Sequence, residues 1–229
     1  MYSTSEGHIL DFMNAGFSYD KSKPFIRDIS FSIENGEFIG LLGPNGSGKS
    51  TILKLASGLL KASCGDINLW GKPVQSYKNK DRAKLLSYLP QILDISIPFS
   101  VRELVGMGLY PYEISPALTV DETIEMVGLA DKAESLIANL SGGERRRAYI
   151  AMTLLQGAGL LLLDEPLANL DIKYQIELLK LLRRLQKERD ITVVMALHDI
   201  NIALQFDRIM LIKEGKILGI GSPDATLTK

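Results

Sequence analysis

Residues 43–50 read Gly43-Pro-Asn-Gly-Ser-Gly-Lys-Ser50 and fit the pattern G-x-x-x-x-G-K-[ST]. The stretch follows a very apolar segment, residues 38–42, and opens a helical pattern that continues to residue 60. Glycines let backbone N–H groups curl around phosphate oxygens, and the helix directs its positive end at the same anion. The stretch therefore predicts a strand, a nucleotide phosphate-binding loop and a helix. The predicted contacts are Gly43, Pro44, Asn45, Gly46, Ser47, Gly48, Lys49, Ser50 and Thr51.

Two side chains of this loop add chemistry that the backbone lacks. Lys49 reaches the β- and γ-phosphates as a cation, and the hydroxyl of Ser50 is a ligand for Mg²⁺. The loop alone does not distinguish a kinase from a GTPase or an ATPase.

A second apolar segment, residues 160–163, ends in the carboxylates of Asp164 and Glu165. In a parallel sheet the end of this strand lies beside the phosphate loop. Asp164 then holds Mg²⁺ through water, and Glu165 orients and deprotonates an attacking water near the γ-phosphate. Neighbouring strand residues point to opposite faces, so two adjacent acids take two roles. The alternative is a solvated acidic turn.

The order of elements predicts an α/β fold. We expect strands over residues 8–13, 29–33, 38–42, 66–69, 160–163, 191–197 and 208–212, and helices over 49–60, 172–189 and 200–206. Residues 100–156 are compatible with helix, with prolines at 98, 111 and 116 as breaks. Strands separated by helices imply a mainly parallel sheet covered on both faces.

Composition excludes several classes of protein. The 229 residues are 46% hydrophobic and 23% charged, with a formal net charge of −1, so neither disorder nor binding of nucleic acid through bulk charge is expected. The longest weakly polar stretch, residues 150–163, is too short to cross a bilayer. The N-terminus lacks the pattern of a signal peptide. The single cysteine, Cys64, fits a reducing cytoplasm and is expected to be a small buried side chain.

A third motif, Leu140-Ser-Gly-Gly-Glu144, opens another predicted helix. Ser141 and Glu144 fit a capping box, but a cap does not need two consecutive glycines, whereas a second anion-binding surface would use them. With the three motifs in this order, nearly the whole sequence resembles the ATP-binding cassette (ABC) family of transport ATPases, whose signature is LSGGQ.

The resemblance implies a P-loop NTPase core with a mainly parallel sheet, an N-terminal antiparallel β subdomain and an inserted helical subdomain. Residues 1–229 then form a single ABC ATPase domain. Residues 1–91 and 158–229 are the nucleotide-binding core, and residues 92–157 are the helical subdomain with the signature.

The resemblance also implies roles for single residues. Tyr19 looks like the aromatic residue that stacks on adenine, although a core aromatic is the competing interpretation. Gln91 matches the loop glutamine that touches Mg²⁺ and senses the membrane subunit. Asp171 matches the aspartate that communicates across a dimer, and it also fits an N-cap of the helix that follows. His198 matches the switch histidine that contacts the γ-phosphate.

The resemblance further implies an assembly. Two chains bury two ATP molecules head to tail, so Ser141, Gly142, Gly143 and Glu144 serve the nucleotide of the partner chain. The partner is a second copy or a related chain. The implied cofactor is Mg²⁺, and the other partners are integral membrane permease subunits and a substrate-binding protein. The ATPase is then peripheral, on the cytoplasmic face of the membrane, and binds no nucleic acid.

The sequence departs from the family pattern without losing a catalytic position. Glu144 replaces Gln, residues 167–169 differ from the usual stretch, and Arg146 stands where Gln is common. We interpret Arg145, Arg146 and Arg147 as a solvated or carboxylate-paired helix face.

The substrate class follows from a weaker similarity. Residues 98–104 and 108–111 are similar to ATPases that import metal chelates, such as ferric siderophore, haem or cobalamin, with Leu109 and Tyr112 departing from that pattern. No added regulatory domain is expected after residue 223. Another transport substrate, a soluble ABC ATPase outside transport, and a nucleotide-binding module without hydrolysis are the alternatives. The last would most simply have lost Glu165 or His198, and both are present.

Overall fold

The computed structural model describes residues 7–20, 23–93, 98–113 and 118–227. Its strands are β1 (His8–Phe17), β2 (Ile26–Glu34), β3 (Phe38–Leu42), β4 (Cys64–Leu69), β5 (Lys72–Pro73), β6 (Leu86–Leu89), β7 (Leu160–Asp164), β8 (Thr192–Leu197), β9 (Arg208–Lys213) and β10 (Lys216–Gly221). Its helices are α1 (Lys49–Ala56), α2 (Asn79–Leu85), α3 (Val101–Gly106), α4 (Val120–Met126), α5 (Gly142–Leu155), α6 (Ile172–Arg189), α7 (Ile200–Ala203) and α8 (Pro223–Leu227).

The larger sheet has the strand order β10-β9-β3-β8-β7-β6. Neighbours from β9 to β6 are parallel, and β10 is antiparallel to β9. Every residue of β3, β7 and β8 is buried, because helices or the second sheet cover both faces, and these strands are nearly continuous apolar runs. Their carboxyl ends lie at one edge, which is where parallel sheets bind ligands.

The side chains of β3 alternate between two hydrophobic clusters, as the two-residue period of a strand requires. Phe38 and Leu42 belong to the cluster that contains the helices α3 to α6, whereas Ile39 and Leu41 belong to the cluster that contains α1 and the smaller sheet. The smaller sheet is antiparallel, in the order β2-β1-β4-β5.

The described residues between 98 and 155 form helices and turns without a strand. Helices α3, α4 and α5 pack against one another, and each begins with a capping box that satisfies two backbone donors. The capping pairs are Ser100 with Glu103, Thr119 with Glu122, and Ser141 with Glu144. The expected domain limits, 1–91 with 158–229 for the core and 92–157 for the helical subdomain, stay predictions.

The structure confirms the predicted α/β fold class and differs in several elements. It adds β6, whose four residues follow directly on α2, and β10, whose strand period is weakened by two glycines. Helix α1 ends at Ala56 rather than at residue 60, because Gly58 has a φ of 71° and breaks the helix.

The expectation of a buried cysteine is wrong. Cys64 is free and exposed, because it begins β4 opposite Gly16 at the end of the smaller sheet's pairing. The proline break expected at residue 116 and the N-terminal residues 1–6 lie outside the described residues. Within the part of the chain that the structure describes, no helix is long and apolar enough to span a membrane.

Candidate functional site

The phosphate loop connects β3 to α1 at the carboxyl edge of the larger sheet. Gly48 occupies the N-cap position of α1 with a φ of 112°, a backbone conformation that residues with a Cβ rarely adopt. One cavity is lined by Gly46, Gly48, Lys49, Ser50 and other loop residues, together with Gln91 and Glu165. The loop therefore faces the residues that follow β6 and β7.

Lys49 points back into the loop. Its side chain is only 5% exposed, and its Nζ donates to the carbonyl oxygens of Gly43 at 2.7 Å and Pro44 at 3.1 Å. Burial lowers the pKa of Lys49, and the charges of Glu165 and Asp164 oppose that effect. The ammonium group lies 4.0 Å from Oε1 of Glu165, so the loop and the acidic pair share one electrostatic environment.

Asp164 ends β7 with 1% exposure beside the first turn of α1. The Oγ of Ser50 donates to its Oδ1 at 3.0 Å, and the hydroxyl of Tyr88 donates to its Oδ2 at 3.4 Å. Burial raises the pKa of Asp164, and the charge of Glu165 adds to the rise while the two hydroxyls oppose it. Burial also raises the pKa of Tyr88, so Tyr88 stays a neutral donor.

Glu165 has a φ of 49°, in the left-handed region, which turns its backbone sharply at the end of β7. Its Oε2 accepts a hydrogen bond of 2.9 Å from Nε2 of Gln91. The structure thus brings Lys49, Ser50, Gln91, Asp164 and Glu165 together at one edge of the sheet.

The donor set of this edge fits a hard divalent cation. The hydroxyl of Ser50, the carboxylate of Asp164 and the amide of Gln91 supply oxygen ligands, which Mg²⁺ prefers. Among the described residues, no group of three or more His, Cys, Asp and Glu side chains could hold a metal ion by itself. A metal here would accordingly keep water and phosphate oxygens as further ligands.

Tyr19 is 62% exposed and is not a core aromatic. Its hydroxyl shares a hydrogen bond of 2.9 Å with Oγ1 of Thr51, and its ring packs edge-on against Phe17 and Phe25 at centroid distances of 4.8 and 5.3 Å. A largely exposed ring whose hydroxyl contacts the first turn of α1 is compatible with binding a base, and adenine stacking stays a prediction.

The signature, residues 140–144, does not line the cavity of the phosphate loop. Ser141 caps α5 through the capping box, and the backbone and hydroxyl of Ser141 lower the pKa of Glu144. Ser141, Gly142, Gly143 and Glu144 line a second cavity that also contains Asp171 and shares no lining residue with the phosphate-loop cavity. Within one chain, the signature residues therefore do not contribute to the cavity of the phosphate loop.

The position of Gly142 shows that the fold does not demand a glycine there. A Cβ built on Gly142 meets no heavy atom within 4 Å, and its φ is not in the positive range. Since the monomer has room for a side chain, the bare backbone at Gly142 is free to meet a ligand or another chain.

Two further predicted residues, His198 and Asp171, lie at the ends of secondary-structure elements. His198 comes directly after β8 and is exposed. The structure confirms Asp171 as the N-cap residue of α6, although its side chain makes no cap hydrogen bond. Their predicted contacts with the γ-phosphate and across a dimer stay predictions.

The expectation of a solvated or carboxylate-paired arginine face is also wrong. Arg146 is 4% exposed, and its guanidinium group donates to backbone carbonyls rather than to carboxylates. Arg145 donates to the carbonyl of Leu140, and Arg147 donates to the carbonyl of Gly128. One signal was available, because Arg146 lies four residues before the apolar Ile150 and thus shares its buried helix face.

The fold and the loop define an α/β P-loop nucleotide-binding domain. The model of the ABC transporter family matches residues 26–168. Petrobactin import ATP-binding protein FpuC of Bacillus anthracis is 42% identical over 218 residues, which cover 91% of this chain and 80% of that protein. Iron(3+)-hydroxamate import ATP-binding protein FhuC of Bacillus subtilis (strain 168) is 41% identical over 213 residues, covering 87% and 79%.

A solved structure agrees. The dimeric structure of a post-hydrolysis state of the ATP-binding cassette MJ0796, bound to ADP and Pi, has a TM-score of 0.84 and 26% identity, and the match covers 93% of this chain and 98% of that one. The chain belongs to the ABC transporter family. It is an ATP-hydrolysing, nucleotide-binding subunit of an ABC transporter.

Proposed function

We propose that this chain hydrolyses ATP at the edge formed by the phosphate loop and the end of β7. The observation that carries the proposal is the pair of hydrogen bonds from Ser50 to Asp164 and from Gln91 to Glu165, which joins the loop to the acidic pair. Loop amides from Gly43 to Thr51 and the ammonium of Lys49 bind and neutralise the phosphates. Glu165 accepts a proton from the attacking water.

Three side chains would hold Mg²⁺: Ser50, Asp164 and Gln91. The ion, when bound, neutralises charge that develops on the β- and γ-phosphates. His198, exposed after β8, donates to the γ-phosphate, and Tyr19 stacks on adenine. These assignments combine the described positions with the family resemblance of the motifs.

We propose further that two chains enclose two ATP molecules head to tail. Its support is the separation of the two cavities: the loop cavity lacks the signature, and the signature cavity lacks the loop. The N-terminus of α5 offers free backbone N–H groups and the hydroxyl of Ser141 to the γ-phosphate of the partner chain. Asp171, beside the signature, then lies at the dimer contact. The structure of the cassette MJ0796 bound to ADP and Pi is described as dimeric, which supports the pairing of two chains.

Mixing two inactive variants tests this arrangement. Gly142→Asp adds a carboxylate that the monomer accommodates and that suits a helix N-terminus, but that repels a partner's phosphate. Neither this variant nor Glu165→Gln should turn over ATP alone. In a mixed dimer one site combines the intact loop of the first chain with the intact signature of the second. Random mixing should therefore restore about a quarter of the active sites.

Steady-state phosphate release from a one-to-one mixture measures the recovery, and Gly142→Asn is the neutral control of the same size. Each variant must melt within a few degrees of the wild type. If each chain used its own signature, the mixture would stay inactive, and that result would contradict the head-to-tail arrangement.

We propose that the transporter is an importer of an iron chelate. Its support is that FpuC and FhuC are named import ATP-binding proteins, for petrobactin and for iron(3+)-hydroxamate respectively. The chain then docks on integral membrane permease subunits at the cytoplasmic face of the membrane, and a substrate-binding protein delivers the chelate. Another substrate, and an ABC ATPase outside transport, are the alternatives.

Reconstitution tests the importer proposal. The tagged chain should copurify with an integral membrane protein after detergent extraction, and the complex in liposomes should accumulate a ferric hydroxamate only while ATP is hydrolysed. The Glu165→Gln complex is the control without hydrolysis. A wild-type chain that fractionates entirely with ribosomes or DNA would contradict transport, whereas a permease complex that moves another solute would contradict only the chelate.

A further inference from the structure

Arg146 has all five of its N–H donors in use. A guanidinium group carries five such donors and no acceptor. Its Nε donates to the carbonyl of Pro166 at 3.3 Å, and its Nη1 donates to the carbonyls of Pro90 at 3.2 Å and Gln91 at 2.8 Å. Its Nη2 donates to the carbonyls of Asp164, at 2.7 Å, and of Glu165.

These five carbonyls belong to two separate chain segments. Residues 90–91 follow β6 and carry Gln91, while residues 164–166 begin at the last residue of β7 and carry the acidic pair. Beyond the paired ends of β6 and β7, the described contacts that join the two segments include the Gln91 to Glu165 hydrogen bond and the shared donor Arg146. The planar guanidinium group of Arg146 thus donates to the backbones of both segments at once.

The site of Arg146 leaves little room for water to replace it. The side chain is 4% exposed, and the charges of Asp164 and Glu165 stabilise the guanidinium against the burial that lowers its pKa. Buried carbonyls that lose a donor cost free energy, so the two segments would shift to find other partners.

We propose that Arg146 is a positioning residue for hydrolysis: it holds the backbones of Gln91 and Glu165 in register, and it ties them to the helix that begins with the signature. This inference rests on the proposed function, because it takes Glu165 as the base. Helix α5 thus presents Ser141 and Gly142 to one ATP while its next turn braces the chain's own catalytic segments.

The number of donors predicts a graded series. Glutamine, which is common at this position in the family pattern, has two N–H donors, so at least three of the five side-chain hydrogen bonds are lost. Methionine keeps a long apolar side chain and donates to none. Because a displacement of about 1 Å in a reacting group costs about a hundredfold in rate, Arg146→Met should lower kcat by about 10- to 100-fold. Arg146→Gln should lie between Arg146→Met and the wild type.

The test separates kcat from ATP affinity. We expect the Kd of ATP in the Arg146 variants to stay within about threefold of wild type, because Arg146 touches no residue of the loop from Gly43 to Thr51 in the contacts described. Arg102→Gln is the matched control, since it removes a half-buried guanidinium of α3 that pairs with Asp121 and Glu134. It should keep the wild-type kcat.

A wild-type kcat in Arg146→Met would overturn the positioning role, and so would a loss of ATP affinity as large as the loss of kcat. If Arg146→Met does not fold, Arg146→Gln decides the matter by the same two measurements. A wild-type chain without any turnover would instead contradict the proposed function, so the two failures are distinguishable.

Discussion

Glu165→Gln should lower the turnover number by about a thousandfold while the Kd of ATP stays within about threefold of wild type. The amide cannot accept a proton from water at neutral pH, which removes the proposed base. Its carbonyl oxygen can still accept the hydrogen bond from Gln91, and its shape is the same, so the edge of the sheet keeps its geometry. The proposed phosphate contacts come from the loop, of which Glu165 is not a part.

The same variant should accumulate as an ATP-bound dimer. In the proposed dimer, hydrolysis separates two chains that ATP holds together, so a chain that binds ATP without hydrolysing it should shift the population to the closed state. Sizing chromatography in Mg²⁺ and ATP, with single-turnover phosphate release, measures both effects. Glu177→Gln, the same change at a surface position paired with Lys173, is the control. Turnover at the wild-type rate would refute Glu165 as the base.

The sequence was sufficient for the fold because its decisive signals are local. The apolar run of β3, the glycines after it and the helix that follows are adjacent in the chain, and so are β7 and its two acids. Their meeting at one edge follows from the rule for parallel sheets. The strand β10 was not predicted, because Gly219 interrupts its alternation of apolar and polar residues. In the structure every second residue of β10 is half-buried and the others are exposed. Its stability as a strand depends on pairing with β9, and a pattern read along one segment does not predict such pairing.

The residues of the site also fall into two groups, those found in local motifs and those whose partners are distant in the sequence. The proximity of Lys49 and Ser50 to Asp164 and Glu165 was predictable, because each of them belongs to a motif placed at the end of a parallel strand. Tyr88 and Arg146 were missed because their roles depend on distant partners: Tyr88 reaches Asp164 across 76 positions, and Arg146 reaches Pro90 across 56. Three consecutive arginines predict an exposed helix face, and only the structure shows that backbone carbonyls accept the hydrogen bonds of a buried guanidinium group.

Lys49→Ala should weaken ATP binding by about a hundredfold, since removing one partner of a buried charged contact costs about 2–5 kcal/mol. The ammonium of Lys49 donates to the carbonyls of Gly43 and Pro44, inside the curve of the loop. These hydrogen bonds restrict the position of the ammonium within the loop, where phosphate oxygens would bind. Preorganisation of this kind reduces the entropy lost on binding.

The affinity loss is measurable without turnover. Saturating ATP raises the melting temperature of a protein that binds it, so the wild type should show a shift that Lys49→Ala loses at the same ATP concentration. Lys173→Ala removes an exposed ammonium paired with Glu177 and should keep the full shift. Because the ammonium of Lys49 is desolvated and its pKa is lowered, its deletion also relieves a burial cost, and the nucleotide-free variant should remain folded. An unchanged ATP-induced shift in Lys49→Ala would contradict the assignment of the loop as the phosphate site, since no other cation of the described loop lies inside its curve.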